Sequence, residues 1–496
     1  MNAKIEYVKS TKWQLIFFSM NNATKCIYLV LMAYYAYFTQ NVLGLSAIVV
    51  GGIATGMRIF DGITDPLFGF ILDKLDTRIG KFRPFMLIGN VTMFLSVLLL
   101  FNTPIGWSSG FKYAYSALLY FIYVLGYSMQ GVATAAGQNI MTNDPKSRPL
   151  IAVYSSFLSN AFINLTTFFL MTILAGRHEN GLSNPEFWKQ AILVCGIVSL
   201  TLTIFPIIGI WEKDNCKYYR LTEKTPDIKI TDIMDILLHN KPVQLIIVSA
   251  ASDKVAQMAN TGMAVYLFSN LFLHTSWNGT MSLYSTIGTL TAAALFGAYS
   301  VKTCMKKSYV ASCWITTISS AILLAFTPLI TKYQGQLPYT LLVVFMTILY
   351  LQKSINSGGG SIVQTMIADC ADYEVLRTGK YIPGMVSTVY NFIDKALSSL
   401  SNLAIGGALA YAGFSKGTIP TDQYLNNRFT HIVMFVIFGT VVIGCVASIV
   451  AMKFYPLDDK KMQEIQTQIH EIKEKAKNEL SNNTPPPTVQ KQPLTE

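Results

Sequence analysis

The stretch RIFDGITDPLFGFILDKLDTRIGKFRPFMLIG, residues 58–89, sets three charged side chains inside an apolar run and then gathers basic residues in a short loop. Arg58, Asp61 and Asp65 are spaced by three and four residues, so all three project from one face of a helix. A charge near the centre of a bilayer costs at least ~2.5 kcal/mol and is normally paired or functional. The stretch therefore predicts a membrane helix with a polar, functional face.

The composition of the whole chain is typical of a polytopic membrane protein. Of its 496 residues, 52% are hydrophobic and 13% are charged, whereas soluble proteins average about 25% charged residues. The apolar stretches approach the ~20 residues needed to cross a bilayer. We predict twelve spans near residues 13–39, 46–72, 84–102, 112–141, 149–175, 190–211, 242–272, 280–301, 308–331, 338–368, 382–413 and 429–454.

A polar stretch divides these spans six and six, which is typical of two-lobed secondary transporters. We therefore predict an all-α membrane protein. Its parts are an N-terminal six-helix lobe (1–211), a cytoplasmic central loop (212–241), a C-terminal six-helix lobe (242–455) and a cytoplasmic tail (456–496).

The loop charges predict the orientation. The 73–83 loop carries four Lys and Arg residues and the 302–307 loop carries three, while the 40–46 and 273–280 loops carry none. By the positive-inside rule, both termini are expected in the cytoplasm. The net charge of +11 is thus an orientation signal, and we expect no nucleic-acid partner.

Several function classes lack their motifs in this sequence. The seven cysteines and five histidines show no metal-ligand spacing, and there is no phosphate-binding loop for ATP-driven transport. The spans contain no nucleophile–base pair, so we do not expect an enzyme. The expected partners are a small molecule, membrane lipid and a coupling Na⁺ or H⁺, without a further cofactor, and the chain is expected to be a monomer.

The acids of the second span predict a cation site. Two carboxylates one turn apart in a low dielectric cannot both stay ionised without a cation or an arginine between them. Arg58 supplies one positive charge against Asp61 and Asp65, and the negative surplus suits a site that exchanges H⁺ or Na⁺. Thr64 and the backbone freed by Pro66 can add oxygen ligands. The alternative is a static Arg58–Asp61 ion pair that holds helices together.

The other charged residues within the predicted spans have a positive net charge once the acids of the second span are assigned to a cation. They are Lys25, Asp253, Lys254, Lys353, Asp394 and Lys395. Under the alternative interpretation these charges form structural pairs, such as Asp253 with Lys353 or Asp394 with Lys25. Lys254 would then extend its ammonium group to the membrane surface.

The second span and its loop closely resemble the glycoside–pentoside–hexuronide:cation symporters, a branch of the major facilitator superfamily that includes melibiose permease and glucuronide carriers. The resemblance rests on R-x-x-D-x-x-x-D-P followed by R-x-G-K-F-R-P, and it extends from about residue 20 to 465. Further matches are MTNDPKSR (141–148), ADCADY (368–373), Lys395 and FYPLDDKKMQEI (454–465). It implies the major facilitator fold with twelve transmembrane helices and cation-coupled import across a bacterial cytoplasmic membrane.

The resemblance also implies roles for individual residues. In that family the two acids of the second span bind Na⁺, Li⁺ or H⁺, and the fourth span adds a hydroxyl. These roles map onto Asp61, Asp65 and Ser128, with Thr64 where melibiose permease has an asparagine. The same resemblance places Tyr127 at the central cavity, together with the lysine of the eleventh span.

The sequence departs from melibiose permease mainly at the sugar positions. Gly131 replaces an acidic or amide residue of the fourth span, and a serine replaces the basic residue of the fifth. In the first span, Lys25 or its neighbours Asn21 and Asn22 take the place of the sugar-binding aspartate. We predict a substrate site formed by Asn21, Asn22, Lys25, Arg58, Tyr127, Gly131, Lys353 and Lys395.

These substitutions predict a symporter that imports an anionic sugar derivative, such as a uronide, sulfo-sugar or charged glycoside, by alternating access. Ion pairing would offset the desolvation of the acid group, whereas a neutral sugar would leave buried ammonium groups unpaired. The alternatives are a neutral glycoside or a non-sugar amphiphile, such as a lysolipid-like or steroid conjugate.

The basic loop after the second span predicts a gate. Arg78, Lys81 and Arg83 lie where the two lobes are expected to meet when the carrier faces outward. Cationic side chains there can hold helix C-termini or acids of the opposite lobe. The alternative is that these charges set orientation alone.

Overall fold

The structure is a computed structural model of the chain. It describes residues 10–75, 77, 79–142, 148–215, 235, 237–378, 383–414, 419–420, 422–457, 461–462, 464–465 and 467–468. Within these ranges the protein is built of helices and contains no β-strand.

We number the helices of the predicted spans α1–α12. The first six are α1 (Lys12–Ala33, continued by Tyr35–Asn41), α2 (Ala47–Lys74), α3 (Phe82–Phe101), α4 (Ser109–Met141), α5 (Arg148–Phe168, continued by a π-helical turn Phe169–Leu174) and α6 (Pro185–Ile210). The last six are α7 (Lys241–Tyr266, continued by a π-helical turn Leu267–Leu271), α8 (Ser276–Lys302), α9 (Met305–Ala325, continued by Thr327–Lys332), α10 (Tyr339–Thr378), α11 (Pro383–Tyr411) and α12 (Asn427–Met434, continued by a π-helical turn Phe435–Gly439 and by Thr440–Phe454).

Ten helices among the described residues are long and apolar enough to cross a membrane. The helices outside that set are α7 and α11, and each carries an adjacent Asp–Lys pair near its middle. The prediction of an all-α membrane protein is confirmed, while the count of twelve spans and the position of the termini stay predictions. The 216–234 part of the predicted central loop lies outside the described residues.

Two helix ends differ from the sequence prediction for local reasons. The sixth span begins at Pro185 rather than near 190, because proline suits the first helical position and the Asn184 side chain accepts a hydrogen bond from the backbone N–H of Glu186. The tenth span continues to Thr378 rather than ending near 368. Arg377 in its last turn forms ion pairs with Glu374 and Asp235, and a cation is favoured at that end of a helix.

The helices pack as two groups joined along two seams. In the first group α1 packs on α5 and α6, α2 packs on α4, and α3 packs on α4 and α6. In the second group α7 packs on α11 and α12, and α10 packs on α8 and α9. The main contacts between the groups are α2 with α11 and α5 with α8.

The α2–α11 seam is tightest at the end of the bundle opposite the first residue of α1. A Cβ atom on Gly51 would lie 2.7 Å from the carbonyl oxygen of Asn402, and one on Gly406 would lie 2.5 Å from the carbonyl oxygen of Ala47. Real side chains essentially never approach a backbone atom that closely, so this crossing requires glycine on both helices.

Hydrogen bonds join the two groups at the same end. The Gln40 side-chain amide donates to the carbonyl oxygen of Phe414 at 2.9 Å. The backbone N–H of Ile419 donates to Oδ1 of Asn41 at 2.6 Å. We call this region, formed by the described residues within 40–51 and 402–426, the closed end.

Candidate functional site

The predicted cation ligands lie together where α2 meets α4. The Asp61 side chain is 2% exposed, and its Oδ1 accepts a hydrogen bond from the Ser128 hydroxyl at 3.2 Å. The Thr64 hydroxyl lies 2.7 Å from that of Ser128 and donates to the carbonyl oxygen of Asp61 at 3.1 Å. The structure thus brings one buried carboxylate and two hydroxyl oxygens to a single point.

Lys395 of α11 reaches the two acids of α2. Its Nζ lies 2.6 Å from Oδ2 of Asp65 and 3.0 Å from Oδ2 of Asp61. The two carboxylates differ in access, since the Asp65 side chain is 41% exposed. The sequence predicted Lys395 as a substrate ligand, whereas the structure places its ammonium group between the predicted cation-binding acids. Two negative charges then face one positive charge supplied by the other lobe.

Arg58 lies on the edge of this cluster. Its Nη1 is 3.8 Å from Oδ2 of Asp61, which is longer than either contact of the Lys395 ammonium. On its other side the guanidinium lies near the phenol groups of Tyr120, Tyr123 and Tyr127 on α4. Arg58 therefore adds positive charge near the acids without occupying the position between them.

Lys25 of α1 points at α4 and forms a cation–π contact. Its Nζ lies 4.3 Å from the ring centroid of Tyr127 and 3.5 Å from the position that a Cβ atom on Gly131 would take. A larger residue at 131 would extend into the space beside this ammonium group. Among the described residues, no carboxylate lies within ion-pair distance of Lys25.

The two asparagines of α1 connect helices. Asn21 is fully buried, and its amide donates to the Thr134 hydroxyl at 2.7 Å and to the carbonyl oxygen of Gln130 at 3.1 Å. Asn22 donates to the hydroxyl of Ser159 on α5 at 2.8 Å. These contacts give both amides a role in packing α1 against α4 and α5.

The embedded charges of the second lobe do not form the pairs considered from the sequence. Asp253 accepts a hydrogen bond from Tyr309, and Lys254 donates to Oε1 of Gln257 at 3.2 Å. Lys353 has neither a hydrogen bond nor an ion pair with any described residue. Its ammonium group, like that of Lys25, is a cation without a counter-ion in the part of the chain that the structure describes.

The predicted gate residue Arg83 contacts the segment that follows α6. Its Nε lies 3.1 Å from Oδ2 of Asp214, and its guanidinium stacks over the Trp211 ring at 4.3 Å. The fully buried Asp214 carboxylate also accepts from the backbone N–H groups of Lys81 and Arg83 at 2.9 and 3.0 Å, which caps α3. Arg78 lies outside the described residues, and the gating role of all three stays a prediction.

The sequence analysis missed Asp214. The sequence offered a sign of it, because Asp214 comes three residues after the sixth predicted span and thus lies at the same membrane surface as the basic loop. What the sequence could not indicate was that α3 begins within reach of that acid.

A two-lobed helical bundle that is closed at one end and holds acids at mid-span defines a membrane transporter of the major facilitator type. The solved structures agree on the fold. The nucleoside transporter NupG aligns with a TM-score of 0.58 at 11% identity, over 90% of this chain and 100% of that chain. A bacterial homologue of the iron transporter ferroportin, in an inward-facing state, aligns with a TM-score of 0.58 at 11% identity, over 89% and 98% of the two chains.

The family follows from the sequence comparison. The model described as MFS/sugar transport protein matches residues 16–459, and the chain belongs to this family. It is 25% identical to the putative glycoside/cation symporter YagG of Escherichia coli (strain K12), over 88% of this chain and 89% of that protein. It is 23% identical to the glucuronide carrier protein homolog of the same organism, over 92% and 94% of the two chains.

These comparisons confirm three sequence predictions. The resemblance to glycoside–cation symporters is borne out, and the chain is a transporter rather than an enzyme. It is a multi-pass protein of the bacterial cytoplasmic membrane.

Proposed function

We propose that this chain is a cation-coupled symporter that imports an anionic sugar derivative by alternating access. The observation that carries the proposal is the position of the Lys395 ammonium group between Asp61 and Asp65. Because a single ammonium group bridges this pair of acids at mid-bundle, another cation can compete with it for the two carboxylates.

The coupling ion would bind at the acids of α2. The Asp61 and Asp65 carboxylates, with the Thr64 and Ser128 hydroxyls, supply the oxygen ligands that a hard cation prefers. A proton can serve instead by neutralising one carboxylate. Either ion removes negative charge from the pair and so weakens its attraction for the Lys395 ammonium group.

This competition would link the ion to movement of the lobes. The acids belong to the first lobe and Lys395 belongs to the second, so their ion pair crosses the interface. Binding of Na⁺ or H⁺ releases that cross-lobe contact. The freed ammonium group then adds positive charge between the lobes.

The preference for an anionic substrate rests on two ammonium groups without counter-ions among the described residues. Lys25 has an aromatic ring and the space beside Gly131 as its neighbours, and Lys353 lacks a hydrogen bond to any described residue. A carboxylate or sulfonate would pair with such a group, while a neutral sugar would leave it unpaired at mid-membrane. The names of the relatives support a sugar-like substrate.

The test is counterflow in proteoliposomes with pairs of glycosides that share one aglycone and differ in a single acid group. We expect the wild type to prefer the anionic member and Lys25→Gln to lose that preference. Lys302→Gln removes an exposed lysine at the end of α8 and should leave the preference intact. Equal affinity for both members, or an unchanged preference in Lys25→Gln, would refute the substrate assignment.

A further inference from the structure

A second acid at mid-bundle, Asp253 of α7, has neutral neighbours. The phenol of Tyr309 on α9 donates a hydrogen bond to its Oδ2. The hydroxyl of Ser249, one turn earlier on α7, donates to that phenol oxygen at 3.1 Å. Tyr309 is 2% exposed, and Ser448 and Cys445 of α12 lie beside the carboxyl group. The Ser448 hydroxyl donates to the carbonyl oxygen of Ser249 at 2.9 Å, and none of these groups carries a positive charge.

Nearby cations are engaged elsewhere. Lys254, the next residue on α7, donates to the Gln257 side chain and faces Asp394 of α11. The Lys395 ammonium group is held by the acids of α2. No Lys, Arg or His forms an ion pair with Asp253 within the described ranges, and Oδ1 of Asp253 is enclosed there without a hydrogen-bond partner.

These surroundings favour the neutral acid over the ion. An ionised carboxylate offers about four lone-pair positions that require donors, and the enclosed Oδ1 receives none. A buried charge without a partner is far more costly than a buried neutral polar group. We propose that Asp253 binds a proton in this conformation and is a second proton-binding site of the transporter, separate from Asp61 and Asp65.

Access to water would then control this site. The titratable groups around Asp253 on α7, α9, α11 and α12 are Lys254, Tyr309, Cys313, Tyr390, Asp394 and Cys445. Lys254 and Asp394 are the charged members and they face each other. A conformation that admits more water would favour release of the proton.

Thermal unfolding of the purified chain in detergent tests the site. Above the ordinary pKa of an aspartate the unfolded chain has released the Asp253 proton. As long as the folded chain keeps that proton, the folding equilibrium constant of the wild type falls by up to about tenfold per pH unit. Asp253→Asn has no proton to take up on folding. Its Tm relative to wild type should therefore rise steadily with pH.

A matched control is Asp235→Asn. A hydrogen bond from Arg377 lowers the pKa of the exposed Asp235 carboxyl, so that group is ionised in both states and its Tm difference from wild type should not change over the same range. A constant Tm difference for Asp253→Asn, or one that moves against the variant as pH rises, overturns the proposal.

Infrared spectroscopy gives a second measurement that does not need the Asp253→Asn protein. The wild type should show the absorption band of a protonated carboxyl group, and Tyr309→Phe should shift that band because it removes the donor to Oδ2. Absence of any protonated-carboxyl band that responds to Tyr309→Phe also overturns the proposal. Neither measurement uses substrate, and Asp61 and Asp65 are the same in every protein compared, so the outcome is independent of the proposed symport.

Discussion

The glycine crossing at the closed end predicts that one methyl group will open the transporter. In Gly406→Ala the new Cβ would lie 2.5 Å from the carbonyl oxygen of Ala47, and an ordinary contact begins at 3.4 Å. Because the obstructing atom is backbone, α2 and α11 must move apart by about 0.5 to 0.9 Å to restore a contact of 3.0 to 3.4 Å. Overpacking of this kind costs about 1–3 kcal/mol.

This overpacking destabilises only the conformation in which α2 and α11 are in contact at the closed end. When the lobes separate at this end the contact disappears, so Gly406→Ala should shift the population of open over closed molecules by about 5- to 150-fold. Gly407→Ala is the matched control, since a Cβ atom there meets nothing within 4 Å. The same comparison can be made on α2 with Gly51→Ala and Gly52→Ala.

The assay is the rate of maleimide labelling of a cysteine placed at Gln40. This residue is fully buried and donates across the lobes to Phe414, so it becomes accessible when the closed end opens. We expect faster labelling in Gly406→Ala than in Gly407→Ala, both in the Gln40→Cys background. Equal labelling rates in two variants of equal Tm would refute the argument that backbone contact holds this end shut.

Two further predictions concern the cation site and the basic loop. Asp61→Asn or Asp65→Asn should abolish accumulation against a gradient while leaving some downhill exchange, and full concentrative uptake by both variants would contradict the cation assignment. Arg83→Gln removes the charged donor from the fully buried Asp214 carboxylate. Loss of such a donor should lower the free energy of unfolding by about 1–3 kcal/mol. We expect a lower Tm and a maximal transport rate that changes more than substrate affinity; a Tm and rate matching those of wild type would remove Arg83 from the gate.

The fold was predictable from sequence because membrane helices follow local rules. Apolar length places the spans, and the spacing of Asp61 and Asp65 places both acids on one face whatever the other helices do. The long extension of α10 was missed because hydropathy marks the apolar part of a helix, whereas Arg377 and Glu374 stabilise a polar turn beyond it. Local rules cannot detect such ends.

The partners across helices were less predictable. Asn21 and Asn22 are adjacent in sequence, yet Asn21 bonds to α4 and Asn22 bonds to α5, whereas Lys25, one turn after Asn21, again contacts α4 at Tyr127. On a helix, neighbouring residues point about 100° apart, so a difference of one position changes the neighbouring helix. The same limit applies to Lys395. The family resemblance placed this lysine at the central cavity and gave no indication that its side chain reaches Asp65.

The contacts between α2 and α11 form a ladder that connects the cation site to the closed end. Gly51 meets Asn402, the Thr55 hydroxyl donates to the carbonyl oxygen of Ser399 at 2.9 Å, and Asp65 meets Lys395. The helices run in opposite directions. At 1.5 Å per residue the glycine contact lies about 20 Å from Asp65 along α2 and about 10 Å from Lys395 along α11.

The contacts at the two ends of this ladder are of different kinds and are broken by different means. The glycine contact and the Thr55 hydrogen bond involve backbone atoms, which no ion can displace. The Lys395 ion pair involves charges, which Na⁺ or H⁺ can replace. Under the proposed symport, ion binding therefore releases the mid-span link and leaves the backbone contacts as the pivot about which α11 moves relative to α2. A variant that lacks the lysine link should then become insensitive to the ion in its lobe movement, while the glycine variants should keep that sensitivity and change only the resting population.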